Sequence, residues 1–409
     1  MQILYLHQYF NTPQDSGGTR SYEMARRLVA YGHHVDMITS QRAIQDDAGH
    51  GWLETEESGI HVHWLPVPYS NEMSYSQRIG AFFKFAIGAA RKAASLKADV
   101  VFATSTPLTI ALPGIYAARR QRIPFVFEVR DLWPELPIAV GALRNPVLKW
   151  AARWLEWMAY HASAHIVALS PGMAEGVMRR GIPASRVTVI PNSCDVAMFD
   201  VPQDRGKTIR QKLGLASEQP LIVYTGTFGL INGVGYLVRV AAVMRTIAPD
   251  VRFLLVGSGA ELEKVTQQAH DLGVLGKNLW IWSSLPKIEI PDVLAAATIA
   301  TSVFVPLKPM WNNSANKFFD ALAARKPIAI NYGGWQADLL QETGAGIVLP
   351  PDDIDQAARL LADFARDTAR LHKASLAARE LAYTRFARNT LAAQLEAVLH
   401  NAVALAQRD

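Results

Sequence analysis

Along the first two hundred residues, short apolar runs alternate with longer segments whose apolar positions recur every three or four residues. "QILYL", "HHVDMITS", "IHVHWLPV", "DVVFATS", "PFVFEVR", "AHIVALS" and "VTVIPNS" read as strands, and helical patterns such as "TRSYEMARRLVAYG" separate most of them. Gly32 after Leu28, with His33 and Val35 beyond, fits a helix ended by glycine and followed at once by a strand. The alternation stops at "DVAMFDVPQDRGKTIRQKLGLASEQP", which is polar, lacks a strand period and predicts a linker. It restarts with "LIVYTGTF", a helix from about Gly235, "VRFLLVGSG", a further helix, "LWIWSSL", "TIATSVFVPL", "PIAINYG" and "AGIVLP". From Ile354 onwards the pattern is helical almost throughout. Strands alternating with helices predict parallel sheets. The fold class is therefore α/β, with two Rossmann-like domains facing a cleft and ligands expected at the carboxyl ends of the strands. The expected domains are 1–196 and 197–385, with 386–409 a helix crossing back to the first.

Composition narrows the class. A chain of 409 residues is long for one core, and 50% hydrophobic with 19% charged residues is ordinary for a folded domain pair. Cys194 is the sole cysteine, so no internal disulfide forms and a reducing cytoplasm is expected. The start "MQILYLHQYFNTP" reads as a first strand, and no window has the apolar length of a membrane span. The net charge of +5 comes without any helix-turn-helix, zinc-finger or RNA-binding signature, so nucleic acid is not an expected partner. An anionic membrane surface and phosphorylated substrates stay open. No cofactor and no metal are expected.

Several loops carry candidate chemistry. Gly17 and Gly18 in "NTPQDSGGTR" follow the first strand and precede the first long helix, where backbone amides and a helix N-terminus favour an anion; a plain flexible loop is the alternative. "YTGTFGLINGVGY" places Gly226, Gly229, Gly233 and Gly235 at the end of the second domain's first strand, which argues for close backbone approach and phosphate contact. "VRFLLVGSGAELEKV" has Gly257 and Gly259 but Leu262 where a dinucleotide fingerprint needs glycine, so packing is the better reading. In "NNSANKFFDALAARKPIAI" the helix begins near Ser314, Ala315 and Asn316. Their amides with the Lys317 ammonium can balance a diphosphate, and Asp320, almost one turn on, can accept both ribose hydroxyls. An ordinary capped helix with a surface ion pair would look similar.

With those motifs in order, the chain resembles the retaining family-4 glycosyltransferases of the GT-B fold, nearly end to end. The match runs through "GGTRSYEMARRLVAYGHHVDMIT", "AHIVALSPGM", "RVTVIPNSCDVAMF", "LIVYTGTF", "VRFLLVGSG", "NKFFDALAARKPIAI" and "GAGIVLPPDD". "VRDLWPE" and "NSANKFFDALA" are similar to a bacterial subgroup that builds surface polysaccharides such as O-antigen, capsule or exopolysaccharide, including fucosamine transferases. The resemblance implies an acceptor-side first domain and a second domain that binds a nucleotide sugar, UDP-linked by expectation. It implies transfer with retained configuration to a polyprenyl-diphosphate-linked saccharide, by a front-face route without a covalent nucleophile. Lys317 and the amides of Gly17 and Gly18 would contact the diphosphate, with Gly226 and Thr227 in the glycine-rich loop. Asp320 would hold the ribose, the backbone near Trp282 and Leu285 the uracil, and residues 312–316 the transferred sugar.

The chain departs from the family at several of these positions. The usual Glu-x7-Glu appears as Asn312 and Asp320, and an amide binds hydroxyls but cannot act as a charged base. The usual arginine and lysine of the glycine-rich loop fall at Thr227 and Asn232, with Lys308, Lys317 or Arg130 available to compensate. The donor-side histidine falls at Arg130 and Asp131, which become candidates for acceptor or sugar contact. An epimerase of the same shape acting on UDP-acetamido sugars and a catalytically silent nucleotide-sugar-binding protein remain alternatives.

Two segments suit a bilayer interface. "SYSQRIGAFFKFAIGAARKAA" brings Ile79, Phe82, Phe83 and Ala86 near one face with Arg78, Lys84, Arg91 and Lys92 around it. "LRNPVLKWAARWLEWMAYHA" clusters Trp150, Trp154, Trp157 and Tyr160 with Lys149 and Arg153. Core-facing helices with basic outer edges would give the same pattern. Peripheral attachment to the inner face of the cytoplasmic membrane is the expectation.

Overall fold

Our computed structural model describes residues 1–15, 17–41, 51–68, 73, 75–141 and 143–408; Ser74, the first residue of one basic aromatic segment, lies outside them. The chain forms two compact units. One comprises Met1–Thr12, Thr19–Pro191 and Asn389–Asp409, the other Pro13–Gly18 and Asn192–Arg388.

The first unit is built on strands β1 (Gln2–Leu6), β2 (His34–Gln41), β3 (Leu53–Glu57), β4 (Ile60–Pro66), β5 (Val100–Thr104), β6 (Phe125–Val129), β7 (His165–Ala168) and β8 (Val187–Val189), in the order β3-β4-β2-β1-β5-β6-β7-β8. All neighbours pair in parallel except β3, which turns back antiparallel on β4. Sequence patterning does not anticipate β3, because "LETEE" is polar and mostly exposed and is held by pairing at the sheet edge. β1, β5 and β6 are buried almost throughout because helices cover both faces of the sheet, and Glu128 on β6 is the one charged residue among them. The helix Arg20–Ala30 ends as the sequence predicts, with Gly32 at a left-handed φ of 88° accepting the turn that β2 needs.

The second unit is a six-stranded, wholly parallel sheet of β9 (Leu221–Thr225), β10 (Arg252–Val256), β11 (Leu279–Trp282), β12 (Ile299–Ser302), β13 (Ile328–Ile330) and β14 (Gly346–Val348), in the order β11-β10-β9-β12-β13-β14. The chain winds one way from β9 to β11 and the other way from β12 to β14. That reversal leaves a crevice beyond the carboxyl ends of β9 and β12. The segment expected as a linker is instead part of this unit. It forms the short helices Val196–Phe199 and Lys207–Lys212, and Gly206 lies so close to the backbone of Ala295 and Ala296 that a Cβ would clash at 2.4 Å. Arg205 pairs with Asp292 and Arg210 donates to the Ala296 carbonyl. Lack of strand period there reflects short helices, not a free tether.

One buried ion pair locks the first unit. Arg20, at the start of its helix, donates Nε and Nη2 to Glu128 of β6 at 3.0 and 2.8 Å, and donates further to the carbonyls of Ile190 and Pro191 beyond β8. Burial alone would raise the Glu128 carboxyl, but the Arg20 guanidinium, with Arg130 and a Thr104 hydrogen bond, holds it below the usual range. Arg20→Ala strands a buried carboxylate and two carbonyls, so a loss of about 3–5 kcal/mol is expected. Urea unfolding at neutral pH checks this; a midpoint unchanged from wild type would remove the pair from the fold's supports.

Candidate nucleotide-sugar site

The second unit gathers its chemistry at the crevice between β9 and β12. The helix Asn316–Ala323 follows β12 and starts at Ala315 without a side-chain cap. Its first turn therefore leaves amides for an external acceptor. Apolar Phe318, Phe319 and Leu322 bury one face, and this fixes Lys317 on the side towards β9. The Lys317 Nζ lies 4.9 Å from the Tyr224 ring centroid and 5.2 Å from that of Phe304. Asn232, its amide oriented for hydrogen bonding, accepts from Nζ at 3.1 Å and donates to the Thr227 carbonyl at 3.1 Å. Among the described residues no carboxylate lies within ion-pair distance of Nζ. Desolvation pulls the ammonium down to about 8, with Asp320 pulling weakly the other way. Ring faces stabilise a cation but supply no counter-charge. The position is thus a cation in want of an anion.

Glycines make this arrangement possible. At Gly226, with φ of 150°, a Cβ would stand 3.0 Å from Lys317 Cε. At Gly257 it would stand 1.8 Å from the Gly226 carbonyl oxygen, and at Gly259 2.6 Å from that of Phe228. Gly257 and Gly259 therefore serve loop-on-loop contact, in agreement with a packing role, though against the β9 loop and not a helix.

The remaining expected residues divide. Gly17 and Gly18 belong to the short 13–18 stretch of this unit. A Cβ on Gly18 would meet Asn316 Nδ2 at 2.6 Å, so the loop and the helix N-terminus are adjacent. Ser314 is buried and engaged, its Oγ accepting from the Asn192 amide and its carbonyl from the Asn192 side chain. Ala315 is buried beside it, Asn312 is half-buried in the preceding turn, and Thr227 is exposed. Trp282 and Leu285 are half-buried at the end of β11, the Trp282 carbonyl accepting from Gly257. Asp320 is buried and forms an ion pair with Lys287, whose Nζ also faces the Phe199 ring at 4.9 Å. Lys287 also donates its backbone amide to the Asp15 carbonyl, tying in the 13–18 stretch. Sequence reading missed Lys287 and the two rings. Lys287 and Asp320 are 33 residues apart, and Tyr224 and Phe304 read as ordinary strand residues, so no local spacing connects them.

In the first unit the ends of β1, β5 and β6 form a second polar group. Arg130 donates its amide to Ser105 Oγ at 2.8 Å and its guanidinium lies 3.1 Å from His7 Nε2. Asp131 accepts from Thr106 Oγ1 at 3.1 Å, and burial raises its carboxyl despite Arg130. His7 was not among the expected residues.

The two basic aromatic segments are helices of the first unit, and each face needs correction. In Tyr75–Ser95, Ala86 joins Phe85 in the core, and the exposed apolar pair is Phe83 and Ile87. In Pro146–Ala162, Tyr160 is core, but Trp150, Trp154 and Trp157 are 69%, 51% and 52% exposed on one face, with Arg153 exposed and Lys149 half-buried beside them. Among the described residues no helix is long and apolar enough to cross a membrane.

Comparison with known proteins agrees with this architecture. Residues 17–193 match the model of the glycosyl transferase 4-like domain, and residues 206–381 that of glycosyl transferases group 1. The chain is 24% identical over 375 residues to the D-inositol 3-phosphate glycosyltransferase of Xylanimonas cellulosilytica, covering 86% of this chain and 85% of that protein. It is 24% identical over 278 residues to WcaI of Escherichia coli K12, a glycosyl transferase named for colanic acid biosynthesis, covering 63% and 67%. The alpha-maltose-1-phosphate synthase of Mycolicibacterium smegmatis is 27% identical over 207 residues, 48% of this chain, and the match spans about half of that relative's length, 52%. Among solved structures, sucrose-phosphate synthase from Thermosynechococcus elongatus superposes with a TM-score of 0.80 at 17% identity over 99% of this chain and all of that one. The Anabaena protein HepE in complex with UDP-glucose gives 0.73 at 17% over 98% and 100%. WaaG, a glycosyltransferase of lipopolysaccharide biosynthesis, gives 0.69 at 15% over 97% and 99%.

The fold is GT-B and the class glycosyltransferase. The chain belongs to the two-domain glycosyltransferases in which a glycosyl transferase 4-like domain precedes a group 1 domain.

The Lys317 ammonium, half-buried and partly withdrawn from water, has a measurable cost. The unfolded chain keeps the Lys317 proton to about 10.5, while the folded chain releases it near 8. Folding with the charge in place is therefore penalised below about pH 8, and stability recovers as pH rises towards 10.5. Lys317→Met keeps the volume without the charge and should be more stable at pH 7 by roughly 1–3 kcal/mol, the gain shrinking at pH 10. Lys326, lowered to about 8 by burial and common to both proteins, cancels in the comparison. Paired urea titrations at the two pH values check it; a variant weaker than wild type at pH 7 would refute the argument.

Proposed function

We propose that the protein is a retaining, family-4 glycosyltransferase that moves a sugar from a UDP-linked donor to a lipid-diphosphate-linked saccharide acceptor in bacterial surface-polysaccharide synthesis. The observation that carries the reading is the Lys317 ammonium, faced by rings and an amide and, among the described residues, without a carboxylate partner, beside the N-terminus of the Asn316–Ala323 helix. The UDP-glucose complex of HepE and the biosynthetic names of WcaI and WaaG support the donor and pathway class.

In this mechanism the donor's anomeric C–O bond breaks and the diphosphate leaves. The acceptor oxygen attacks from the same face, and its proton passes to a leaving-group oxygen. Lys317, the amides of Gly17 and Gly18 and the helix N-terminus meet charge growing on the diphosphate. Asp320, oriented by Lys287, accepts the ribose hydroxyls, and Trp282 and Leu285 flank the base. Asn312 binds a hydroxyl or acetamido group of the transferred sugar and takes no proton. Arg130 and Asp131 contact the acceptor or sugar. The exposed tryptophans and neighbouring cations of Pro146–Ala162 rest on an anionic bilayer, where the acceptor resides. No metal and no cofactor is assigned to the reaction.

Thermal-shift screening against UDP, GDP and their sugars, followed by transfer assays on a lipid-diphosphate acceptor, tests the reading. Saturable binding without turnover would favour a silent binding protein, and interconversion without acceptor an epimerase. Lys317→Ala should lower kcat by roughly 10²–10³-fold with the fold intact; unchanged turnover would remove Lys317 from the chemistry. Replacing Trp150, Trp154 and Trp157 together by alanine should abolish flotation with anionic liposomes while transfer to a detergent-soluble acceptor persists. Undiminished flotation would place the membrane surface elsewhere.

A further inference from the structure

Where the helix Arg20–Ala30 gives way to β2, the first unit brings two histidines and a glutamate together. The geometry points to a transition-metal site of the zinc class formed by His33, Glu396 and His400, which would fasten the C-terminal helix Arg388–Ala406 to the corner between the helix Arg20–Ala30 and β2. One ligand atom from each of the three residues lies within 4.8 Å of the others. His33 Nε2 is 2.8 Å from Glu396 Oε1, and His400 Nε2 is 3.9 Å from the same oxygen. Zinc bonds of about 2.0–2.2 Å to nitrogen and oxygen place tetrahedral ligands roughly 3.4 Å apart, between the two separations seen. Small side-chain rotations would close the set, with water in the fourth position.

The ligand-bearing elements are held rigidly. Glu396 and His400 are one turn apart on a helix whose Leu395, Val398, Leu399 and Ala402 are buried in the core of the unit. His33 follows Gly32 at its left-handed φ, and the His33 amide bonds to the Leu28 carbonyl at 3.1 Å, so its backbone cannot wander. The two imidazoles already stand edge to face with centroids 5.3 Å apart. His33 Nδ1 is 3.1 Å from the Met1 amino group, so metal at Nε2, which leaves Nδ1 a donor, requires that amine to be neutral or to turn aside. Two imidazoles and one carboxylate form a set that suits zinc and its neighbours better than magnesium or calcium. Without a metal the same groups make a hydrogen-bonded tether, so a titration distinguishes the two states.

The full chain, stripped with chelator and dialysed, is titrated calorimetrically with zinc chloride and, separately, with magnesium chloride. Expected are one zinc per chain, a melting temperature raised by a few degrees and no response to magnesium. His400→Ala, at an exposed position, should lower zinc affinity at least tenfold. His61→Ala, beside the separate group of His34, His63 and Asp36, should leave it unchanged. Cobalt substituted for zinc should give visible absorption bands that His400→Ala removes. Sugar transfer should be unaltered in His400→Ala, since the site is structural. Absence of zinc binding, or equal binding by His400→Ala, overturns the proposal.

Discussion

The second unit is organised around a cation that its own side chains do not neutralise. Removing an ammonium from water is expensive, and the expense is normally met by a carboxylate or by loss of the proton. Lys317 has rings and one amide oxygen instead, and its affinity for the proton falls accordingly. An arrangement that lowers folding stability persists where the missing charge arrives with a ligand. The β9–β12 crevice is where parallel sheets of this winding receive such ligands.

Backbone proximity is the second requirement. Lys317 reaches its place because Gly226 offers no Cβ, and the Gly226 loop sits where it does because Gly257 and Gly259 let the β10 loop come against it. Three glycines in two loops thus set the height of one lysine. A methyl group at Gly257 would meet a carbonyl oxygen of the main chain, and no rotamer relieves that contact.

Period-two and continuous apolar runs gave away nearly every parallel strand, since burial on both faces leaves no choice of residue at β1, β5, β9 or β10. The polar edge strand β3 escaped because its stability comes from pairing alone. The 195–220 segment misled because short helices and a linker both lack a strand period, and the contacts of Arg205, Gly206 and Arg210 with residues 292–296 tell them apart. Lys317 and Asp320 were legible because both lie on one short helix. Lys287 was not, because its partner is set by the fold. Tyr160 and Ala86 show the limit of helical periodicity: apolar stripes on Pro146–Ala162 and Tyr75–Ser95 are wide enough to serve core and surface at once.

If the proposed donor binds in the crevice, the charge arithmetic there demands more than its two lysines. Lys317 and Lys287 bring two positive charges and Asp320 removes one, leaving a single net charge. A nucleoside diphosphate carries more negative charge than that. The balance has to come from dipoles, namely the uncapped N-terminus of Asn316–Ala323 and the amides of the adjacent 13–18 stretch. Dipoles of this kind are fixed by the backbone and keep their orientation whatever the protonation state, unlike side-chain cations. Asn232 holds the Lys317 Nζ in position through its amide oxygen. On the proposed reading, the one ammonium that faces no carboxylate among the described residues would carry most of the side-chain electrostatic work.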